Sequence, residues 1–110
     1  RRGKGFDWVI IKLANIGIVN DIVLQTHHFK GNYPASFSIQ GSLISRNNNV
    51  KKLINNSPNW NTLVSNKKLK PHDNLRISNL NLQSEKINYI KLNIFPDGGI
   101  SRLRIFGKVT

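Results

Sequence analysis

Residues 93–107, NIFPDGGISRLRIFG, read as two β-strands joined by a tight turn. Pro96 presets the first central dihedral of that turn, Asp97 can hydrogen-bond its own backbone, and Gly98 and Gly99 accept a positive φ without steric penalty. A loop of this length built on a type I turn is a common hairpin connection. Apolar and polar residues alternate with period two on both sides of it. Ile90, Leu92 and Ile94 share one face before the turn, and Leu103 and Ile105 share the matching face after it. If Phe95 faces Ile100, then Leu92 faces Leu103 and Ile90 faces Ile105. The opposite face collects Lys91, Asn93, Arg102 and Arg104, with Asn93 across from Arg102 and Lys91 across from Arg104.

Like charges directly opposite one another on a sheet are unfavourable, so water, a carboxylate or a bound anion should compensate them. The plain reading is a solvated sheet face, since Lys and Arg are mostly exposed. The sharper one is a pocket for a small carboxylate or phosphate, which the planar fork of arginine suits.

The chain has 110 residues, one domain with a small core. Its formal charge of +12 favours an anionic partner. The lysines are scattered apart from Lys51-Lys52 and Lys67-Lys68, and the abundant Asn fits a coding bias that raises charge without function. The aromatic residues do not interleave with basic ones as in single-strand binders, so no nucleic-acid partner is expected. No apolar run reaches membrane-spanning length, so no membrane partner is expected either. Without cysteine there is neither a disulfide framework nor thiolate chemistry, which fits a reducing, cytoplasmic setting. The absence of Met, position 1 included, and the abrupt Arg1-Arg2-Gly3-Lys4-Gly5 opening read as a piece cut from a longer protein at its N-terminal side.

In chain order, residues 7–13, DWVIIKL, form a strand whose near-continuous apolar character predicts burial on both faces. Asn15-Ile16-Gly17 is a turn, and residues 18–26 form a second strand. Residues 26–34, THHFKGNYP, are a loop holding two of the three histidines. Residues 35–45 are a third strand, with Phe37 and Ile39 inward and Ser36, Ser38 and Gln40 outward. Residues 46–59 are a long polar connection with at most one helical turn, near 50–54. Trp60, Leu63 and Val64 return the chain to the core, and Leu75 and Ile77 alternate in a short strand. Six or seven short strands with evenly spaced turn signals describe an all-β chain, an antiparallel sandwich or jelly roll.

His27 and His28 are adjacent, so in an extended segment they point to opposite sides and would rarely share an ion. One of them with His72 and Asp97 is conceivable, but no compact spacing supports it, and no metal or other cofactor is expected. Trp8, Trp60 and Phe29 read as core residues.

Two stretches together carry a family resemblance. THHFKGNYP at 26–34 and KLNIFPDGGISRLRIFG at 91–107 resemble the two signature segments of allantoicase. Arg1-Arg2 with Asp7-Trp8, Lys12-Leu13, Trp60, Leu69, Pro71 and His72 extend the likeness over the whole chain. The resemblance implies a galactose-binding-like jelly roll, one repeat of a tandem pair lacking its own first strand, and the wording is closer to the second repeat. It also implies hydrolysis of allantoate to ureidoglycolate and urea, a second repeat in the parent chain and a homo-oligomer. Under it, His28 and His72 are the acid–base candidates. Asn32, Lys91, Asn93, Arg102 and Arg104 are the substrate-binding candidates, and Pro96, Asp97, Gly98 and Gly99 shape the turn. The chain departs from the family in three places: Gln25 stands where an acidic residue is common, Leu13-Ala14 replaces Leu-Gly, and Tyr89 replaces a histidine. The alternative is a non-catalytic module for a small ligand or carbohydrate, since fold alone does not fix function.

Overall fold

The computed structural model describes residues 7–26, 36–46, 48–70, 74–78, 85–95, 100 and 102–110. The strands are β1 (Asp7–Gln25), β2 (Ser36–Ser42), β3 (Asn61–Lys68), β4 (Asn74–Ile77), β5 (Lys86–Phe95) and β6 (Arg102–Val109). One helix, α1 (Val50–Asn56), runs into a 3-10 turn at Ser57–Asn59. Every described strand pair is antiparallel.

β1 organises the sheet. Its first half pairs with β5, from Asp7 opposite Ile94 to Lys12 opposite Tyr89. The register then breaks between Lys12 and Gly17. The second half pairs with β6 on one side and β4 on the other. One long strand therefore belongs to two strand sets, β3-β2-β5-β1 and β4-β1-β6, and the sheet curls on itself. Apolar side chains from both sets meet in one core: Phe37, Ile39, Ile90 and Leu92 from the first, Ile22, Leu24 and Ile77 from the second. Removing this surface from water is the main favourable term in folding.

Three expectations from the sequence are corrected. First, residues 90–107 do not form a paired hairpin among the described residues. β5 lies between β1 and β2, and β6 pairs with β1. Leu92 faces Val9 and Ile39, and Leu103 faces Leu24. The physical reason is burial: a bare hairpin leaves both outer edges open, whereas β1 gives each strand an apolar neighbour. The like-charge opposition disappears as well, since Lys91 faces Ile10 and Gln40 while Arg104 faces Val23. Second, residues 7–13 are not buried on both faces; Trp8 and Val9 are 39% and 47% exposed. Among the described residues this half of β1 pairs on one side only. Third, Asn15-Ile16-Gly17 is not a turn but an irregular stretch within β1. Gly17 is required there because a Cβ would run into the Lys108 carbonyl oxygen.

The helix is real but short. Asn49 caps it, its side-chain oxygen accepting from the Lys52 N–H at 2.8 Å. A helix this short is marginal alone. Asn49→Ala should lower stability by about 1 kcal/mol, read as a shifted midpoint in chemical denaturation. No helix among the described residues is long and apolar enough to cross a membrane.

Candidate functional site

With Ile90 and Leu92 committed to the core, strand alternation turns Tyr89, Lys91 and Asn93 to the outer face of β5. Ser38 and Gln40 of β2 and Trp8 and Ile10 of β1 flank them in register. The segment after α1 folds over this face, so polar groups that would otherwise meet water are covered. Lys91 is only 3% exposed and Asn93 only 5%.

The covered groups form a defined network. Gln40 Nε2 donates to the carbonyls of Pro58 (3.1 Å) and Trp60 (2.9 Å). Asn93 Nδ2 donates to Gln40 Oε1 (3.0 Å) and Ser38 Oγ (3.2 Å). Lys91 Nζ donates to Ser57 Oγ (2.9 Å), and that hydroxyl donates to the Ile54 carbonyl (2.9 Å). The same ammonium stands 4.9 Å from the centre of the Trp8 ring, a cation–π distance. Burial pushes the Lys91 pKa below its usual 10.5, because a desolvated ammonium is disfavoured. Asn93 Oδ1 is buried and has no hydrogen-bond partner among the described residues.

Of the residues expected to bind substrate, the structure brings Lys91 and Asn93 together and places Arg102 and Arg104 elsewhere. The two arginines are exposed on β6, opposite Gln25 and Val23. Arg102 borders a cavity of about 360 Å³ that Asp7, Trp8, Ile94 and Leu103 also line; Lys91 and Asn93 do not line it. Arg104 shares its strand pairing at Val23 with Arg76. Arg76 binds Asp21 at 2.8 Å and lies 5.5 Å from the centre of the Phe106 ring. Hydrogen bonds from Ser78 and then Arg76 hold the Asp21 carboxyl below its ordinary 3.8. What Asp21 adds to stability is complete above that value and is lost as pH falls through the lowered one. His28, Asn32, His72 and the turn Pro96, Asp97, Gly98 and Gly99 lie outside the described residues.

Gln25 donates to Asn74 Oδ1 at 3.2 Å and so links β1 to β4. A second cleft, about 910 Å³, opens beside the irregular stretch of β1. Lys12, Arg46, Asn48 and Tyr89 line it, and Asn88 stiffens its wall by bonding both the N–H (2.8 Å) and the carbonyl (2.9 Å) of Ile44. No group of three or more His, Cys, Asp or Glu that could hold a metal occurs among the described residues.

Sequence reasoning missed Gln40 and Ser57, and it placed Trp8 in the core. The available signal was the polar pair Ser38 and Gln40 on β2, facing Asn93 and Lys91 on β5.

A family model described as allantoicase repeat matches residues 1–110. A probable allantoicase of Pseudomonas syringae pv. syringae is 42% identical over 109 residues, covering 99% of this chain and 33% of that protein. A probable allantoicase of Pseudomonas aeruginosa is 42% identical over 108 residues, covering 98% of this chain and 32% of that protein. The crystal structure of allantoicase from Saccharomyces cerevisiae superposes with a TM-score of 0.77 at 28% identity, over 98% of this chain and 29% of that one. The chain thus spans about a third of the length of the curated relatives it matches.

Proposed function

The chain belongs to the allantoicase family, and on that premise we propose that it is one repeat of an enzyme hydrolysing allantoate to ureidoglycolate and urea. The observation that carries this reading is the match of one allantoicase repeat along the whole chain. The superposition on the yeast enzyme supports it. A second repeat in the parent chain, assembly into a homo-oligomer and a galactose-binding-like jelly-roll topology are part of the same proposal. Relatives three times as long support the second repeat. A core held between two strand sets supports the topology.

Allantoate carries a carboxylate and two ureido groups on one carbon. Hydrolysis breaks one carbon–nitrogen bond, and its electron pair leaves with the ureido nitrogen. That nitrogen takes a proton and departs as urea. A water oxygen adds to the carbon and returns a proton, so one water is consumed. The chemistry needs a site for the carboxylate, a site for the ureido group that stays, and a group that moves the proton.

Lys91 and Asn93 supply a buried cation and a buried amide on one face, suited to a carbonyl and an N–H. Arg102, which shares a cavity lining with Trp8, is proposed to take the carboxylate as a charge-assisted pair. Arg104, two residues on, adds to the positive field there. His28 and His72 are the proposed proton carriers, because an imidazole exchanges protons near neutrality. Asn32, four residues after His28 in the sequence, is proposed as a second ureido contact.

Urea release from allantoate by the full-length protein tests the function, and no release under conditions that keep it folded would overturn it. Arg102→Leu should raise KM for allantoate by roughly tenfold to a hundredfold, the worth of one charge-assisted hydrogen bond. An unchanged KM would remove Arg102 from the site.

A further inference from the structure

Two backbone carbonyls decide which way the buried amides point. The carbonyl oxygens of Pro58 and Trp60 can only accept hydrogen bonds, so the end of Gln40 that meets both is its NH2 group. Both Gln40 N–H bonds are thereby used, and its Oε1 is left facing β5. Asn93 must answer with a donor, so Nδ2 faces Gln40, and its second N–H goes to Ser38. Reversing Asn93 would set two oxygens against each other at 3.0 Å. The consequence is that Asn93 Oδ1 faces away from the network, buried and without a partner among the described residues. A buried carbonyl oxygen left unpaired is unfavourable, and its presence calls for a donor from elsewhere.

Beside it stands Lys91, two residues away on the same face and about 7 Å along the strand. Its ammonium carries three N–H bonds, and one is taken by Ser57. Among the described residues it pairs with no carboxylate. Trp8 lies beside both groups, opposite Asn93 in register and within cation–π reach of Lys91.

We infer that Gln40 is a positioning residue that fixes the polarity of this site, so that Asn93 Oδ1 accepts an N–H and Lys91 Nζ donates to a carbonyl of one ligand group. A ureido group has that pattern: it donates from one edge and accepts at the other, and its flat π-system can lie on an indole. Identifying the group as one of allantoate's rests on the function proposed above; the polarity set by Gln40 does not.

The test compares N-carbamoylglycine, a ureido acid, with malonate, a diacid without N–H donors, by titration calorimetry on the full-length protein. The wild type should prefer the ureido acid by about tenfold or more, the worth of one satisfied buried group. Gln40→Glu cannot donate to the two carbonyls, so the preference should fall to within about threefold. Asn93→Leu removes the acceptor while leaving Gln40 anchored, and should do the same even if the glutamate variant fails to fold. With allantoate, Gln40→Glu should raise KM more than it lowers kcat. A preference retained in Asn93→Leu, or absent in the wild type, overturns the inference. A wild type that prefers the ureido acid yet releases no urea from allantoate overturns the proposed function and leaves the inference standing.

Discussion

Gly107→Ala is expected to unfold the β1–β6 half of the protein, lowering stability by about 3 kcal/mol or more. Gly107 faces Val19 in that ladder. A Cβ on it would run into the Ile18 carbonyl oxygen, with the Ile18 carbonyl carbon at 2.9 Å and Val19 Cα at 3.0 Å. All three are backbone atoms, so no side chain can swing aside. Gly17 is the reciprocal case on the other strand, against the Lys108 carbonyl oxygen. Two glycines thus let two backbones approach more closely than a sheet with side chains allows. Relief requires β6 to move off β1, which withdraws Leu103 and Ile105 from the core. In a domain of this size the melting temperature should fall by roughly 12 °C or more, read by circular dichroism. Gly41→Ala is the internal comparison. Its Cβ would meet the Ile87 and Leu63 methyl ends at 2.9 and 3.0 Å, and these can rotate. A loss of about 1 kcal/mol is expected there. A Gly107→Ala protein melting within about 2 °C of the wild type would contradict the close approach.

This contrast marks what the sequence could disclose. Alternation located β2, β4, β5 and β6 to within a few residues, because each strand has an apolar face and a polar face. It could not disclose which strands pair. The motif 96–99 signals a change of chain direction, but pairing is decided by what each strand buries. Ile90 and Leu92 bury best between β1 and β2. Gly17 read as a turn residue because a glycine after Asn15-Ile16 carries the same local signal whether the chain reverses or another backbone passes close by. At the candidate site, Lys91 and Asn93 were legible because charged and amide side chains interrupt a strand that is otherwise apolar. Gln40 was not, since a polar residue on the outer face of a strand is ordinary. Its role depends on carbonyls 18 and 20 residues further along, brought over it by a short helix, and no local pattern encodes that.

Lys91→Met should make the protein more stable and a poorer binder of its ligand. The ammonium is almost fully covered, is held by one hydroxyl and an indole face, and meets no carboxylate among the described residues. Burying a cation so sparsely compensated is unfavourable, and burial accordingly lowers its pKa. The unfolded chain keeps this proton up to about 10.5, whereas the folded chain releases it at lower pH. Between those two values the unfolded state binds more protons, so wild-type stability should rise with pH across that alkaline window. The penalty is present in full below the folded value, neutral pH included. Methionine keeps the length of the stem and its packing on Trp8 without the charge. Ser57 keeps its bond to the Ile54 carbonyl. A gain of about 1 kcal/mol at neutral pH is therefore expected, roughly 4–8 °C in melting temperature. The alkaline rise attributable to this residue should vanish. Affinity for a ureido ligand should drop by roughly tenfold to a hundredfold, as one charge-assisted hydrogen bond is lost. Thermal melts from pH 7 to 10, with calorimetric titrations at neutral pH, read both effects on the same samples. A destabilised variant with unchanged affinity would mean that Lys91 serves to tether the Ser57 turn. A stabilised variant with weakened binding would mean that the protein carries a buried charge for the sake of a ligand.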